Sequence, residues 1–191
     1  MFEQQEYFQE TFENLHLSDI SSRARIFDRC IFRQCRLETV DFEGSEFSEC
    51  IFDHCELNLL KFRNCALKNA IFKESRLLGI DFTSCHLNFF RLAFENCVID
   101  TCNFSSLPLK KTPFTRCSLR ECRFVESILT ETNFEHSDLE RTLFHQCDLG
   151  EAEFRNARNY SINPLTNKIQ GAHFSLPEAV SLLANMGITL D

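Results

Sequence analysis

One stretch decides the fold, and it reads FDRCIFRQCRLETVDFEGSEFSECIFDHCEL over residues 27–57. A Phe or Leu stands at every fifth position in it, and this period continues from Phe27 to Leu87. The phase then shifts by two residues within 88–93, and the same period runs on from Phe94 to Phe154. A period of five matches neither the 3.6-residue turn of a helix nor the two-residue alternation of a flat strand.

From Phe32 onward, the residue two before each central residue is small or aliphatic. All 11 cysteines of the chain occupy this position, while charged and amide residues fill most of the other three. Two inward residues and three outward ones in every five fit short extended pieces joined by corners. Such pieces wind into a solenoid in which each coil pairs with the coils above and below it. The sequence therefore predicts an all-β solenoid.

Phe recurs every ten residues within the period, as expected if opposite sides of a four-sided coil carry it. We predict two core ladders on this basis. The first holds Phe32, Phe52, Phe72, Phe94, Phe114, Phe134 and Phe154, and the second holds Phe42, Phe62, Phe82, Phe104, Phe124 and Phe144.

These units resemble those of the pentapeptide-repeat proteins, whose repeat is roughly Ala-(Asp/Asn)-Leu/Phe-x-x. Thr-Asn-Phe-Glu-His at 132–136 and Ser-Asp-Leu-Glu-Arg at 137–141 match it closely. The resemblance implies a right-handed quadrilateral β-helix, with four repeats per coil, over residues 26–158 and a small bulge at 88–93. Six and a half such coils at about 4.8 Å each make a rod of about 31 Å. Residues 1–25 are predicted to be a degenerate repeat or cap.

Residues 159–191 lose the period and are predicted to hold a turn, a helix and a dimerisation segment. Asn163-Pro164 signals the turn. Ser175 and Glu178 have the spacing of a capping box, with a proline just inside the helix, and Gly187 ends it. We expect one short α-helix that caps the open end of the solenoid.

The C-terminal order Tyr-Ser-Ile-Asn-Pro (160–164), then Phe-Ser-Leu-Pro-Glu-Ala (174–179), resembles one group within this family. The group comprises topoisomerase-protecting proteins, namely the Qnr-type quinolone-resistance proteins and the immunity proteins against albicidin and microcin B17. Their C-terminal segment forms a two-fold dimer contact, so the resemblance implies a homodimer here. A monomeric cap made by the same residues is the alternative. The implied interface is Phe174, Leu176, Val180, Leu183, Met186, Ile188 and Leu190.

The sequence offers no catalytic or metal-binding motif. No C-x2-C accompanies the C-x4-C spacings, so neither zinc-ribbon nor iron–sulfur patterns are met. The shared inward phase of the cysteines fits buried structural thiols. The 5 glycines form no nucleophile elbow and no phosphate loop. We predict no enzymatic activity, no cofactor and no metal.

The start of the chain lacks the basic and apolar segments of a secretory signal, and no apolar run approaches the roughly 20 residues of a membrane span. A cytoplasmic protein without membrane association is expected. Free thiols fit that compartment.

Charge is the remaining feature. The net charge is −8, distributed as −8 over residues 1–60, +5 over 61–130 and −5 over 131–191. A solvated surface of mixed sign is the simple interpretation. The alternative starts from B-DNA, a rod with one negative charge per about 1.7 Å, whose place an acidic rod of similar shape can take in a DNA-binding groove.

The resemblance supplies a partner for such a DNA mimic. It implies binding to DNA gyrase or topoisomerase IV, protection of the enzyme from quinolone or peptide-type poisons, and no direct contact with nucleic acid. The basic middle departs from a uniform mimic, and a scaffold for an unrelated protein partner remains the alternative. Phe89 and Phe90 in the bulge are a predicted loop contact. The predicted acidic surface is Glu131, Glu135, Asp138, Glu140, Asp148, Glu151 and Glu153.

Overall fold

Short parallel strands stacked into a four-sided coil form most of the protein in the computed structural model, which describes residues 2–189. The prediction of an all-β solenoid with a short C-terminal helix is confirmed. The elements are β1 Glu6–Phe8, β2 Thr11–Glu13, β3 His16–Ser18, β4 Ile26–Asp28, β5 Ile31–Arg33, β6 Arg36–Glu38, β7 Glu46–Ser48, β8 Ile51–Asp53, β9 Glu56–Asn58, β10 Ala66–Lys68, β11 Ala70–Lys73, β12 Arg76–Leu78, β13 Leu92–Glu95, β14 Val98–Asp100, β15 Phe114–Thr115, β16 Ser118–Arg120, β17 Arg123–Val125, β18 Leu143–His145, β19 Glu153–Phe154, β20 Ser161–Ile162, β21 His173–Phe174 and α1 Val180–Asn185.

Four faces run along the rod. The first face holds β1, β4, β7 and β10, the second holds β2, β5, β8, β11, β13 and β15, and the third holds β3, β6, β9, β12, β14 and β16. The fourth face begins as isolated bridges and ends in β17, β18 and β20, while β19 and β21 continue the second face. Pairing is parallel and in register, with Phe32 beside Phe52 and, across the bulge, Phe72 beside Phe94.

The corners require an unusual backbone conformation. From Tyr7 to Phe154, the residue two after each centre except Phe82 has a positive φ, as Gln9 has at 53° and Asn14 at 53°. Side chains other than Gly rarely adopt this region, because the Cβ crowds the carbonyl oxygen. Hydrogen bonds offset the cost, since the corner N–H groups of Gln9 and Asn14 donate to the next coil, to the Asp28 carbonyl at 2.8 Å and the Arg33 carbonyl at 3.0 Å.

Stacked Phe rings fill the core, and all thirteen predicted ladder residues are buried. Neighbouring rings of the first ladder lie 4.8 to 5.2 Å apart between centroids and are nearly parallel. The two ladders meet edge to face, as Phe94 and Phe104 do at 5.7 Å and 83°. Both geometries suit the quadrupole of an aromatic ring.

The stacking extends beyond residues 26–158 at both ends. Phe12 stacks on Phe32 and Phe174 on Phe154, each at 5.0 Å. The second face thus carries nine rings and eight steps, or about 38 Å at about 4.8 Å per step, more than the expected length. Residues 2–25 carry β1 to β3, which pair with β4 to β6.

The inward thiols are hydrogen-bond donors as well as small apolar groups. Cys147 Sγ lies 3.0 Å from the carbonyl oxygen of Phe124, the central residue 23 positions earlier. Ser127 Oγ reaches the Phe104 carbonyl in the same way, at 2.9 Å. The position therefore selects small donors that satisfy a carbonyl inside the core. The same bond is made by Cys30, Cys35, Cys50, Cys55, Cys65, Cys122, Ser75, Thr132, Ser137, Thr142 and Asn167.

The bulge turns one expected core position outward. Leu87 is 51% exposed, and Phe90 fills the core in its place at 8% exposed. The Phe90 N–H donates to the Leu87 carbonyl at 3.2 Å, and the Arg91 N–H to the Leu67 carbonyl at 3.0 Å, which ties the turn to the rod. Of the two predicted contact residues Phe89 is exposed, whereas the prediction is wrong for Phe90, because the extra residues loop out before it and bring its ring inward.

The C-terminal helix is shorter than predicted. It covers six residues, Val180–Asn185, and its N-cap residue Ala179 makes no side-chain hydrogen bond. The predicted capping box is wrong, because the Ser175 hydroxyl accepts a hydrogen bond from the Asn156 N–H at 2.9 Å instead. Asn185 Nδ2 donates to the Ile162 carbonyl at 3.0 Å, so the segment covers the end of the last coil.

Candidate functional site

The predicted acidic surface is divided among three faces of the rod. Glu131, Asp148 and Glu151 belong to the first face, because Ile128, Asp148 and Lys168 form one ladder there. The other four candidates lie on the next two faces of the rod. The structure does not bring the seven carboxylates onto one face. The second face holds Glu135 and Glu153, and the third holds Asp138 and Glu140.

Five of the seven carboxylates lie beside a Lys or Arg, and a sixth lies beside a histidine. Lys110 and Lys111 each place Nζ 3.1 Å from a carboxylate oxygen of Glu131. The hydrogen bond from Lys111 has the larger effect and that from Lys110 the next, and together they hold the pKa of Glu131 below its usual value. Among residues 2–189, only Glu151 of this set has no ion-pair partner. The remaining pairs are Arg155 to Glu153 at 2.6 Å, Arg158 to Asp138 at 2.9 Å, Lys168 to Asp148 at 3.7 Å, Arg141 to Glu140 at 3.8 Å, and His136 to Glu135 at 3.7 Å, where the imidazole counts only when protonated.

The charge changes sign from one coil to the next along most of the rod. This pattern is finer than the three blocks seen in the sequence, because each of those blocks spans several coils. The net charges are −5 for residues 2–20, +3 for 21–40, −6 for 41–60, +4 for 61–80, −2 for 81–102, +3 for 103–122 and −3 for 123–142.

Ion pairs between stacked coils account for the alternation. Arg33 lies between Glu13, 3.1 Å from Nη1, and Asp53, 3.3 Å from Nε. Arg36 pairs with Glu56 at 2.5 Å. Each exposed pair contributes at most about 1 kcal/mol, but a series of them opposes any slip in register.

The bulge presents apolar side chains beside cations. Phe89 is 83% exposed with φ at 60°, and it lines a surface groove with Phe90, Glu49, Lys68 and Arg91. Arg91 has no ion-pair partner within residues 2–189. An exposed aromatic ring beside a free guanidinium is typical of a contact point for another protein.

A second exposed apolar cluster lies at the C-terminal end. Of the seven predicted interface residues, Phe174 stacks on Phe154 and is partly buried, and Leu190 lies outside the described residues. The other five have exposed side chains, from 36% for Leu183 to 78% for Leu176. They are Leu176, Val180, Leu183, Met186 and Ile188.

The cysteines line the interior of the rod. All 11 cysteines are buried and free, and burial raises the pKa of Cys65 and of Cys102 to about 12. Residues 2–189 contain no group of three His, Cys, Asp or Glu side chains that could hold a metal ion. No helix in that range has the length and apolar composition to cross a membrane.

Two sequence models of one repeat family match this chain. The model described as a pentapeptide repeat region matches residues 25–104, and the model described as pentapeptide repeats (8 copies) matches residues 109–146. The chain belongs to the pentapeptide-repeat family. No curated protein matches this pentapeptide-repeat chain.

Solved structures confirm the pentapeptide-repeat fold. A trypsin-treated variant of QnrB1, a plasmid-mediated fluoroquinolone resistance protein, matches with a TM-score of 0.82 at 15% sequence identity, over 97% of this chain and 98% of that chain. A second trypsin-treated QnrB1 variant matches with a TM-score of 0.67 at 16% identity, over 95% and 100% of the two chains. The predicted right-handed quadrilateral β-helix is thereby confirmed as the architecture.

Sequence reasoning missed two features of this pentapeptide-repeat surface. Leu87 fits the period as well as any core leucine does, and nothing local marks it as exposed. The coil-by-coil charge pattern did leave a signal, because acidic and basic stretches of about one coil in length alternate in the sequence. Counting charge over several coils at once conceals that signal.

Proposed function

We propose that this protein is a non-enzymatic DNA-mimicking rod that binds a type II topoisomerase, DNA gyrase or topoisomerase IV, in the cytoplasm. It protects the enzyme from quinolone or peptide-type poisons. The observation that carries the proposal is the likeness to QnrB1, a fluoroquinolone resistance protein, over 97% of this chain and 98% of that one.

The shape of the rod supports this proposal. The ladder from Phe12 to Phe174 is about 38 Å long, which corresponds to a duplex of about eleven base pairs at 3.4 Å each. Ring stacking fills the interior, so the rod offers a surface to its partner rather than a cleft to a substrate.

The charge pattern limits how the mimicry operates. Carboxylates that already pair with Lys or Arg attract a basic groove less than free ones do, because the opposite charges largely cancel. Acidic coils such as residues 41–60 would face basic parts of the partner. The basic coils between them would face acidic or apolar parts of the partner's surface. Glu151, whose carboxylate has no cation partner among residues 2–189, is the first acidic residue to replace, and Phe89 is the first apolar one.

A homodimer is the proposed functional unit. The five exposed apolar side chains between Leu176 and Ile188 form an unpartnered cluster at the end of the rod. A two-fold contact buries the same cluster on both copies at once. A second copy is thus the simplest occupant, and the pair of rods is about twice as long as one.

Light scattering coupled to size-exclusion chromatography tests the dimer. We expect the mass of two chains of 22.3 kDa each. Leu183→Glu with Met186→Glu should give monomers, whereas the control Leu165→Glu, at a leucine 72% exposed elsewhere, should leave the dimer intact. A wild-type monomer would contradict the proposal.

A supercoiling assay tests protection. DNA gyrase inhibited by a fluoroquinolone should regain activity when micromolar protein is added, and the Leu183→Glu, Met186→Glu variant should restore less. Glu151→Lys and Phe89→Ala should each weaken the rescue. No rescue by a folded, dimeric wild-type protein, with either gyrase or topoisomerase IV, would count against the proposed function.

A scaffold for an unrelated protein is the second candidate. The observation that favours it is the pairing of five of the seven candidate carboxylates with neighbouring Lys or Arg side chains. A pull-down from bacterial lysate separates the two functions. Enrichment of topoisomerase subunits supports the first, and enrichment of another protein without them supports the second.

A further inference from the structure

The N-terminal end of the rod carries open strand edges. β1, β2 and β3 are the outermost strands of three sheets, and within residues 2–189 each pairs on one side only. The opposite end differs, because the C-terminal segment lies over the last coil and Asn185 Nδ2 donates to the Ile162 carbonyl. Open edges are templates for pairing with another chain.

The repeating hydrogen-bond pattern identifies the open backbone groups. The residue before each centre donates to the preceding coil, as the Ile31 N–H does to the Glu10 carbonyl at 2.9 Å. The residue after the centre accepts from that coil, as the Arg33 carbonyl does from the Asn14 N–H at 3.0 Å. No coil precedes residues 2–20 in the described range, so these groups lack backbone partners there: the N–H of Glu6, Thr11 and His16, and the C=O of Phe8, Glu13 and Ser18.

The apolar core is already closed at this end. Phe2 is 5% exposed, and its ring packs edge to face on Phe12 at 5.3 Å and Phe27 at 5.2 Å. An approaching segment therefore meets a finished core surrounded by unpaired N–H and C=O groups. This is the arrangement in which an extended peptide adds to a sheet, with main-chain hydrogen bonds supplying the affinity.

The interior of the rod indicates which charge such an edge accepts. Residues 2–20 hold five acidic side chains and no Lys or Arg, and residues 41–60 hold six and none. The equivalent edge of the coil 41–60 is covered by the Arg-rich coil 21–40, where Arg29 lies 3.1 Å from Glu49 and Arg33 lies 3.3 Å from Asp53. The open edge at residues 2–20 repeats this acidic environment without its basic neighbour.

We infer that the N-terminal edge binds an extended segment of a partner protein that carries Arg or Lys, as an added parallel strand. A second copy does not fit. Two such ends head to head would bring coils of net charge −5 together, and the C-terminal end of a second copy is covered by its own segment. This inference does not depend on the topoisomerase or on the dimer.

The probe is a fluorescent synthetic peptide with the sequence of residues 21–40, because this segment covers the equivalent acidic edge inside the rod. We expect saturable binding to the full chain by fluorescence anisotropy, weakening as salt is added. A control peptide with its five Arg replaced by Glu should bind at least about tenfold more weakly, since opposite charges across the edge become like charges.

Two variants separate backbone pairing from charge. Thr11→Pro with His16→Pro removes two open N–H groups, and the rod already holds Pro108 and Pro113 at the same position of their repeats. We expect about tenfold weaker binding of the peptide. Circular dichroism should show an unchanged fold.

Glu3→Lys with Glu6→Lys should also weaken binding about tenfold, whereas Glu151→Lys, at a free carboxylate far from the edge, serves as the control and should change it less than twofold. Failure of the peptide to bind would overturn the inference and leave the acidic edge as protection against aggregation. Binding that is unchanged by the two prolines would overturn it as well.

Discussion

Replacing Cys147 by Ala and by Ser isolates the donor role of the inward cysteines. Cys147 is 1% exposed, and its Sγ donates to the Phe124 carbonyl at 3.0 Å. The parallel pairing of β17 with β18 already gives that carbonyl a backbone partner, so Ala removes an additional side-chain donor, which costs about 1 kcal/mol of unfolding free energy. Ser keeps a donor of similar size, and Ser127 makes the equivalent bond at 2.9 Å. We expect the Ala variant to be less stable than the Ser variant by about 1 kcal/mol.

Guanidinium unfolding and thermal melting measure the difference, which should appear as a gap of about 2–4 °C in Tm for a chain of this size. Cys102 is the matched control, because it is as deeply buried but its Sγ donates to the Asp100 carbonyl of its own coil, at 3.5 Å, and to no carbonyl of the preceding coil within residues 2–189. Ser should have no comparable advantage over Ala there. If the Cys147→Ser variant is as unstable as Cys147→Ala, the cysteines serve by size and apolarity alone and the donor argument is refuted.

Three further predictions test the register and the charges. Phe104→Ala should lower the free energy of unfolding by about 3–5 kcal/mol, because it removes a ring from the middle of a stack; denaturant unfolding measures this. Phe90→Ala should cost about 3 kcal/mol and Phe89→Ala under about 0.5 kcal/mol, and the reverse order would contradict the outward turn of the bulge. The hydrogen bond from Lys68 holds the pKa of Glu46 below its usual value. Ionised Glu46 therefore stabilises the fold above its unfolded-state pKa, and this stabilisation is lost as pH falls through the folded-state pKa. Glu46→Gln should lessen the decrease of Tm in acid, which thermal melting at several pH values measures.

Much of the fold follows from the five-residue period, because that period sets which side chains face inward. Phe72 and Phe94 stay on one face although the bulge lies between them, and counting repeats through the bulge predicts this. The period does not predict which residues of the bulge at 88–93 loop out of the coil and which stay in the core. Leu87 and Phe90 both suit the core, and only packing around the neighbouring coil selects Phe90.

The surface was less predictable, because it depends on partners far apart in sequence. Ser175 has the local sequence of a helix cap, yet its hydroxyl accepts from the Asn156 N–H, 19 residues away. Glu131 appears free in the sequence, yet two lysines from the preceding coil neutralise it. Such contacts become visible once successive coils are stacked.

Because the net charge alternates from coil to coil, the number of coils that is removed or inserted decides which charges come into contact. Removing residues 21–40 would place a coil of net charge −5 directly on one of −6, whereas removing residues 21–60 would place it on one of +4. Insertions and deletions that preserve electrostatic matching in this part of the rod therefore come in pairs of coils. The unit by which such a rod can grow or shrink is the pair of coils, and not the single pentapeptide that builds it.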